Sequence, residues 1–141
     1  MKVAAVVDAS VAIKWVVEEK FSDAAGTLLT NAALCAPAHW QAEAVNAIWG
    51  QVHRGRLSAE DGRQRASTLI SAPVEPVPLA ALFDQAFQLA VALRVTVYDS
   101  LYVALAKVRG IPLVSDDRRL LRRMMAEPTL AVLARPLADL R

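Results

Sequence analysis

The chain has 141 residues, the length of one compact domain rather than two. Hydrophobic residues make up 55% and charged residues 21%, which excludes intrinsic disorder. The 16 Lys and Arg nearly balance the 14 Asp and Glu, and a balance of +2 argues at face value against a dedicated nucleic-acid binder, which should be visibly basic.

Val3 to Val7 is a short apolar run rich in β-branched residues, and Asp8 ends it. It reads as a strand buried on both faces. Ser22 is placed to cap a helix running to about Ala33. Leu34 to Pro37 reads as a second short strand. A long helix fits His39 to about Arg54, with Gly55 as its terminator. Ser58-Ala-Glu-Asp61 resembles a capping box for a further helix that ends before Pro73. Val74 to Pro78 is extended, because its prolines exclude a helix interior. Helix resumes from about Leu79 to Leu93, and again from near Tyr98 to Gly110. Ile111 to Val114 is a strand, Asp116 to Met125 a helix, and Leu130 to Leu133 a last strand. This alternation predicts an α/β sandwich with a mostly parallel sheet.

One cysteine, Cys35, excludes an intramolecular disulfide, and with only His39 and His53 beside it no zinc spacing exists. A thiol on a strand reads as inert and buried. The run before Asp8 is too short for a signal-peptide core, and the longest uncharged stretch, Ala24 to Ala42, contains Gly26, Asn31, Pro37, His39 and Gln41. The expectation is one domain over residues 1–141, cytoplasmic, with no membrane contact.

In open parallel sheets, ligands bind outside the carboxyl ends of the strands. Asp8 ends the first strand there, and Ser115-Asp116-Asp117 follows the later one. Either Asp8 or Asp116 alone could simply cap the helix that follows. Glu43 is an isolated acid on a largely apolar helix, where a surface position is the plain alternative. Asp99 lies at a helix start, where the dipole favours an acid in any case. Carboxylates gathered in one crevice repel, and they persist with raised pKa values or with a cation. Oxygen ligands alone favour Mg²⁺ or Mn²⁺.

The segments VVDASVAIKWVVEE, Glu43 with Asn46 three residues later, TVYDSLYVALA and LVSDDRRLL occur in the order and spacing of the PIN-domain nucleases. The chain resembles in particular the VapC-type toxins of toxin–antitoxin pairs, from Val6 to about Leu121. The resemblance implies a PIN-like three-layer α/β/α sandwich with a central, mostly parallel sheet. It implies an Mg²⁺- or Mn²⁺-dependent endoribonuclease that acts on single-stranded or looped RNA and hydrolyses it with metal-activated water. Asp8, Glu43, Asp99 and Asp117 match the family's acids: Asp8 and Asp99 would be direct metal ligands, and Glu43 and Asp117 direct or water-mediated ligands or groups that orient the attacking water. Ser10, Asn46, Ser115 and Asp116 would stand behind them, and the choice between Asp116 and Asp117 at the metal falls on Asp117. Serine stands at 115 where the family more often has threonine. The resemblance further implies an RNA substrate, a cognate VapB-like antitoxin and a toxin homodimer. The alternative is a catalytically silent PIN-like module that binds RNA or regulates.

Arg118, Arg119, Arg122 and Arg123 follow Asp117 at i, i+4 spacing and could grip RNA phosphates, form a solvated helix face or dock an acidic peptide. Arg54, Arg56, Arg63 and Arg65 read as structural or solubilising. Trp15, Trp40 and Trp49 read as core or interface residues, with base stacking near Glu43 a weaker option for Trp40 and Trp49. His39 and His53 read as surface or helix-end residues. A haloacid-dehalogenase-type phosphatase would need an acid where Ser10 stands, and a receiver domain would need an early acid pair and a late Lys. The charge also divides unevenly: residues 1–50 hold three Lys and five acids, and the rest hold 13 basic and nine acidic residues. With the four matched acids turned inward, 10 acids face 16 basic groups, a basic surface around an acidic pocket.

Overall fold

In the computed structural model, which describes residues 2–140, five parallel strands form one sheet in the order β3-β2-β1-β4-β5. In chain order they are β1 (Val3–Val7), α1 (Ala9–Ala12) running into a 3-10 turn (Ile13–Trp15), α2 (Ser22–Asn31) and β2 (Ala32–Pro37). Then come α3 (Trp40–His53), α4 (Ala59–Leu69), β3 (Val74–Val77), a 3-10 turn (Ala80–Leu82), α5 (Phe83–Leu93) and α6 (Val97–Arg109). The chain continues with β4 (Leu113–Ser115), α7 (Arg118–Met125), α8 (Pro128–Ala131) and β5 (Ala134–Pro136).

Successive strands move outward from β1 in one direction to β3, then cross back to β4 and β5 on its other side. With right-handed crossovers, the helices before β3 lie on one face and those after it on the other. That is the expected α/β/α sandwich. The core follows from the apolar run of β1. Val6 and Val7 are wholly buried between Cys35 of β2 and the Leu113–Val114 pair of β4. Cys35 is itself buried, and desolvation raises its thiol pKa, as expected of an inert thiol. Helix α6 lies across β1, β2 and β4, and α5 packs on α6.

Local chemistry explains most boundaries. Ser58 caps α4 by accepting from the Asp61 N–H at 3.0 Å. Gly55 and Gly110 take positive φ just beyond the ends of α3 and α6, where a Cβ would be strained. Pro76 sits in β3, an edge strand, where the missing N–H is tolerated.

Three expectations are corrected. Ser22 is the first residue of α2 rather than its cap. The left-handed Phe21 precedes it, and the Ser22 hydroxyl instead accepts from Glu19 N–H and donates to the Val17 carbonyl. Ala32 and Ala33 belong to β2, not to the helix before it. The last strand is Ala134–Pro136, not Leu130–Leu133. Pro128 opens a helical turn there, because a proline at the first helical position needs no N–H partner.

No single helix among the described residues is long and apolar enough to cross a membrane.

Candidate active site

The sheet order reverses between β1 and β4, so the crevice beyond their carboxyl ends is the topological switch point. Asp8 stands there at the end of β1 and caps α1 by accepting from Val11 N–H at 3.3 Å. It is only 6% exposed. Ser10 Oγ donates to Asp8 Oδ1 at 2.6 Å, and Ser115 Oγ, at the end of β4, donates to Oδ2 at 2.5 Å. Each serine also accepts a backbone N–H from the β4–α7 connection: Asp116 N–H reaches Ser10 Oγ and Asp117 N–H reaches Ser115 Oγ, both at 2.9 Å. The two hydroxyls thus clamp the loops after β1 and β4 around one carboxylate.

Burial pushes the Asp8 carboxyl from 3.8 up to about 6. The two serine bonds oppose that rise, and the negative charge of Asp117 adds to it. Asp117 caps α7, accepting from Leu120 N–H at 3.1 Å. Asp99 lies in the first turn of α6, whose cap is Thr96. Burial first, then the charges of Asp117 and Glu43, raise the Asp99 pKa, and Arg119 partly relieves it. Asp99, Asp117 and Arg119 line one cavity of about 190 Å³ with Arg94 and Thr96.

Glu43, in the first turn of α3, is held differently. Tyr102 Oη donates to its Oε1 at 2.6 Å, and His39 Nε2 lies 3.3 Å from the same oxygen. Burial is the largest single influence on Glu43 and raises its pKa, but the bonds from His39 and Tyr102 together outweigh it and hold the carboxyl below its ordinary value. Tyr102 is buried, and desolvation and then the Glu43 charge raise its own pKa, so it stays a phenol and a donor.

The four matched acids stand on β1, α3, α6 and the β4–α7 connection and are linked pairwise by charge: Asp117 acts on Asp8, and Asp117 and Glu43 act on Asp99. Among the described residues no three of them converge tightly enough to form a ready-made metal cage; bare carboxylates repel one another. Their chemistry still fits a hard divalent cation: oxygen donors only, two of them destabilised as anions. Asp116 turns away. Its Oδ2 lies 3.2 Å from Lys14 Nζ, which also holds Glu19 at 3.2 Å. Asn46 lines a groove with Ser10 and Asp116. Arg118, Arg119 and Arg122 are exposed on α7 and Arg123 is half-buried; of these four, Arg119 lines the cavity with Asp99 and Asp117.

Sequence reasoning missed Tyr102, His39 and Lys14. His39 precedes Glu43 by four residues and Tyr102 follows Asp99 by three, spacings that share a helix face. Lys14 was visible as a lone cation in the apolar run VAIKW. Of the tryptophans, Trp40 is core, Trp15 is half-buried with its indole N–H on the Ala25 carbonyl, and Trp49 is exposed.

The PIN domain family model matches residues 5–125. The chain belongs to the PIN domain family. Among similar proteins of Mycobacterium tuberculosis, the ribonuclease VapC12 is 35% identical over 82% of this chain and 88% of its own. The ribonuclease VapC9 is 30% identical over 92% of this chain and 98% of its own. Among solved structures, PAE2754 from Pyrobaculum aerophilum superposes with a TM-score of 0.69 at 24% identity, covering 98% of this chain and 93% of that one. Mycobacterium tuberculosis VapC20, described as a sarcin-ricin loop cleaving toxin, gives 0.62 at 18% identity, covering 82% and 92%. These two likenesses concern the fold.

Proposed function

We propose that this chain, as one PIN-like domain, is an endoribonuclease and the toxin of a toxin–antitoxin pair, cutting RNA with Mg²⁺ or Mn²⁺. The observation that carries the reading is Asp8. A buried carboxylate raised to about 6, with Asp117 pressing on both it and Asp99, is an anion set in want of a cation. Asp8, Asp99 and Asp117 would hold the ion, with Glu43 a direct or water-mediated partner. A divalent cation bound there supplies Lewis acidity, easing the ionisation of water and offsetting charge on the phosphate and the departing 3′-oxygen.

The chain's own groups do the positioning. Ser10 and Ser115 fix both oxygens of Asp8. Tyr102 donates to Glu43 Oε1, and His39 Nε2 lies 3.3 Å from that oxygen while also meeting the Tyr98 carbonyl at 3.0 Å; together they keep the carboxylate ionised, which suits it to orient the attacking water. Arg119 stands beside Asp99 and Asp117 to meet an RNA phosphate. Asp116 serves as the partner of Lys14.

The relatives named VapC support an antitoxin partner. An exposed apolar stripe on α5, Phe83, Phe87 and Val91 at four-residue spacing, supports a homodimer. The test is to incubate the purified chain with short RNAs in Mg²⁺, in Mn²⁺ and in EDTA. Cleavage abolished by EDTA supports the nuclease. Tight RNA binding without cleavage in either metal overturns it in favour of the silent module.

A further inference from the structure

A second cavity, of about 400 Å³, adjoins the carboxylates and is not used by the chemistry above. Ser10 and Asp116 form its border with the acidic site; Asn46, Trp49, Gln51 and Arg54 of α3 and its end form much of the rest. Ser10 Oγ bonds Asp8, so whatever fills this groove sits next to a phosphate held at the acids.

Three features give the groove a chemistry. Trp49 is 58% exposed, although Trp40 and Ile48 of the same helix are buried, so its ring has no core role. Its plane is fixed by stacking on His53, 5.0 Å between centroids at 12°. Gln51 is only 5% exposed and lines the groove, so it brings a shielded polar side chain to the groove wall. The Arg54 guanidinium lies against Gly50, where a Cβ would come within 3.1 Å of Nη1. The absence of a side chain at 50 seats that cation in the groove. Lys14 is already engaged by Glu19 and Asp116, which leaves Arg54 as the groove's available cation.

We infer that this groove is a subsite for one unpaired RNA base next to the scissile phosphate, stacked on Trp49 and hydrogen-bonded at its edge by Gln51 and Asn46, with Arg54 on the neighbouring phosphate. An amide both donates and accepts, which suits a base edge. An aromatic face takes a base only when that base is free of a duplex stack, which agrees with the single-stranded or looped RNA that the family resemblance implies. The inference rests on the ribonuclease reading and adds to it a base-holding subsite on α3.

The experiment uses a cleavable single-stranded RNA and a set of copies, each with one abasic nucleotide near the cut. KM and kcat are measured for the wild type and for Trp49→Ala, with circular dichroism confirming the fold. The wild type should lose about 10-fold in KM at one abasic position, the scale of a single base–aromatic stack. Trp49→Ala should show the same loss on intact RNA and no further loss at that position. Independent, multiplying losses, or an unchanged KM in Trp49→Ala, overturn the subsite and leave the exposed ring to a protein partner. A binding arm separates this from the nuclease reading. In EDTA, labelled RNA should bind Asp99→Asn about 10-fold more tightly than Asp99→Asn with Trp49→Ala, whether or not the wild type cleaves. Equal binding overturns the subsite even if cleavage is robust.

Discussion

Replacing Asp8 with Asn should make the metal-free protein more stable while destroying its activity. The buried Asp8 carboxyl titrates at about 6 rather than 3.8. The folded state therefore binds that proton more tightly than the unfolded chain does. Stability is unaffected below the unfolded value, falls as pH rises between the two, and stays reduced above the folded value. The rise from 3.8 to about 6 corresponds to a cost of roughly 3 kcal/mol at neutral pH. Asn removes the charge at equal size. Its NH₂ meets one serine hydroxyl that now donates, so that serine must turn to accept, at a cost of about 1 kcal/mol. The net gain is about 2 kcal/mol, or about 6 °C in Tm for a chain of this length. The assay is thermal melting in EDTA from pH 4 to pH 8. The variant's advantage should be absent near pH 4 and complete by pH 7, and added Mg²⁺ should stabilise the wild type selectively. A variant that melts below wild type at pH 7.5, or an advantage independent of pH, would refute the electrostatic account of Asp8.

Tyr102→Phe keeps the buried ring but removes the donor to Glu43. It should slow cleavage about 10-fold or more, the scale of a hydrogen bond to a charged group, and move the acidic limb of the pH–rate profile upward. That bond and the His39 interaction depress the Glu43 pKa, so they stabilise the fold above the ordinary carboxyl value, and that stabilisation disappears as pH falls through the folded one. An acidic limb that does not move contradicts this role. Ser115→Ala leaves Asp8 Oδ2 and Asp117 N–H without their partner, and its urea midpoint should report a loss of about 2 kcal/mol or more; a loss within error would show that the clamp is not structural. Arg119→Ala with Arg122→Ala should weaken RNA binding and reduce the salt slope of log K by up to about 1 for each phosphate that these arginines neutralise. An unchanged slope would assign these arginines to a solvated face.

Asp8 and Asp117 were legible because a buried apolar strand followed by an acid has few meanings in a parallel sheet. Lys14 draws Asp116 aside, which supports Asp117 as the acid at the metal. What the sequence hid was tertiary. Tyr102 and His39 reach Glu43 from α6 and from the start of α3, and the Tyr102–Glu43 pair is separated by 59 positions. No local pattern predicts which face of α6 meets α3. Trp49 looked like a core or interface residue because helical spacing cannot tell a buried ring from one at a groove's rim. The tail was misread for the opposite reason: Leu130 to Leu133 is apolar enough for a strand, but Pro128 sets the backbone for a helical turn and defers the strand to Ala134. The net charge says little about partners, because acids and bases divide unevenly along the chain.

The most direct measurement is single-turnover cleavage of one defined RNA in Mn²⁺ and Mg²⁺ by the wild type and by Asp99→Asn, Asp117→Asn and Asp116→Asn. The predicted result is EDTA-sensitive cleavage by the wild type, a loss of more than about 100-fold in the first two variants, as expected when a group acting on the transition state is removed, and near-wild-type rates in the third. Cleavage by Asp99→Asn at the wild-type rate would contradict the account.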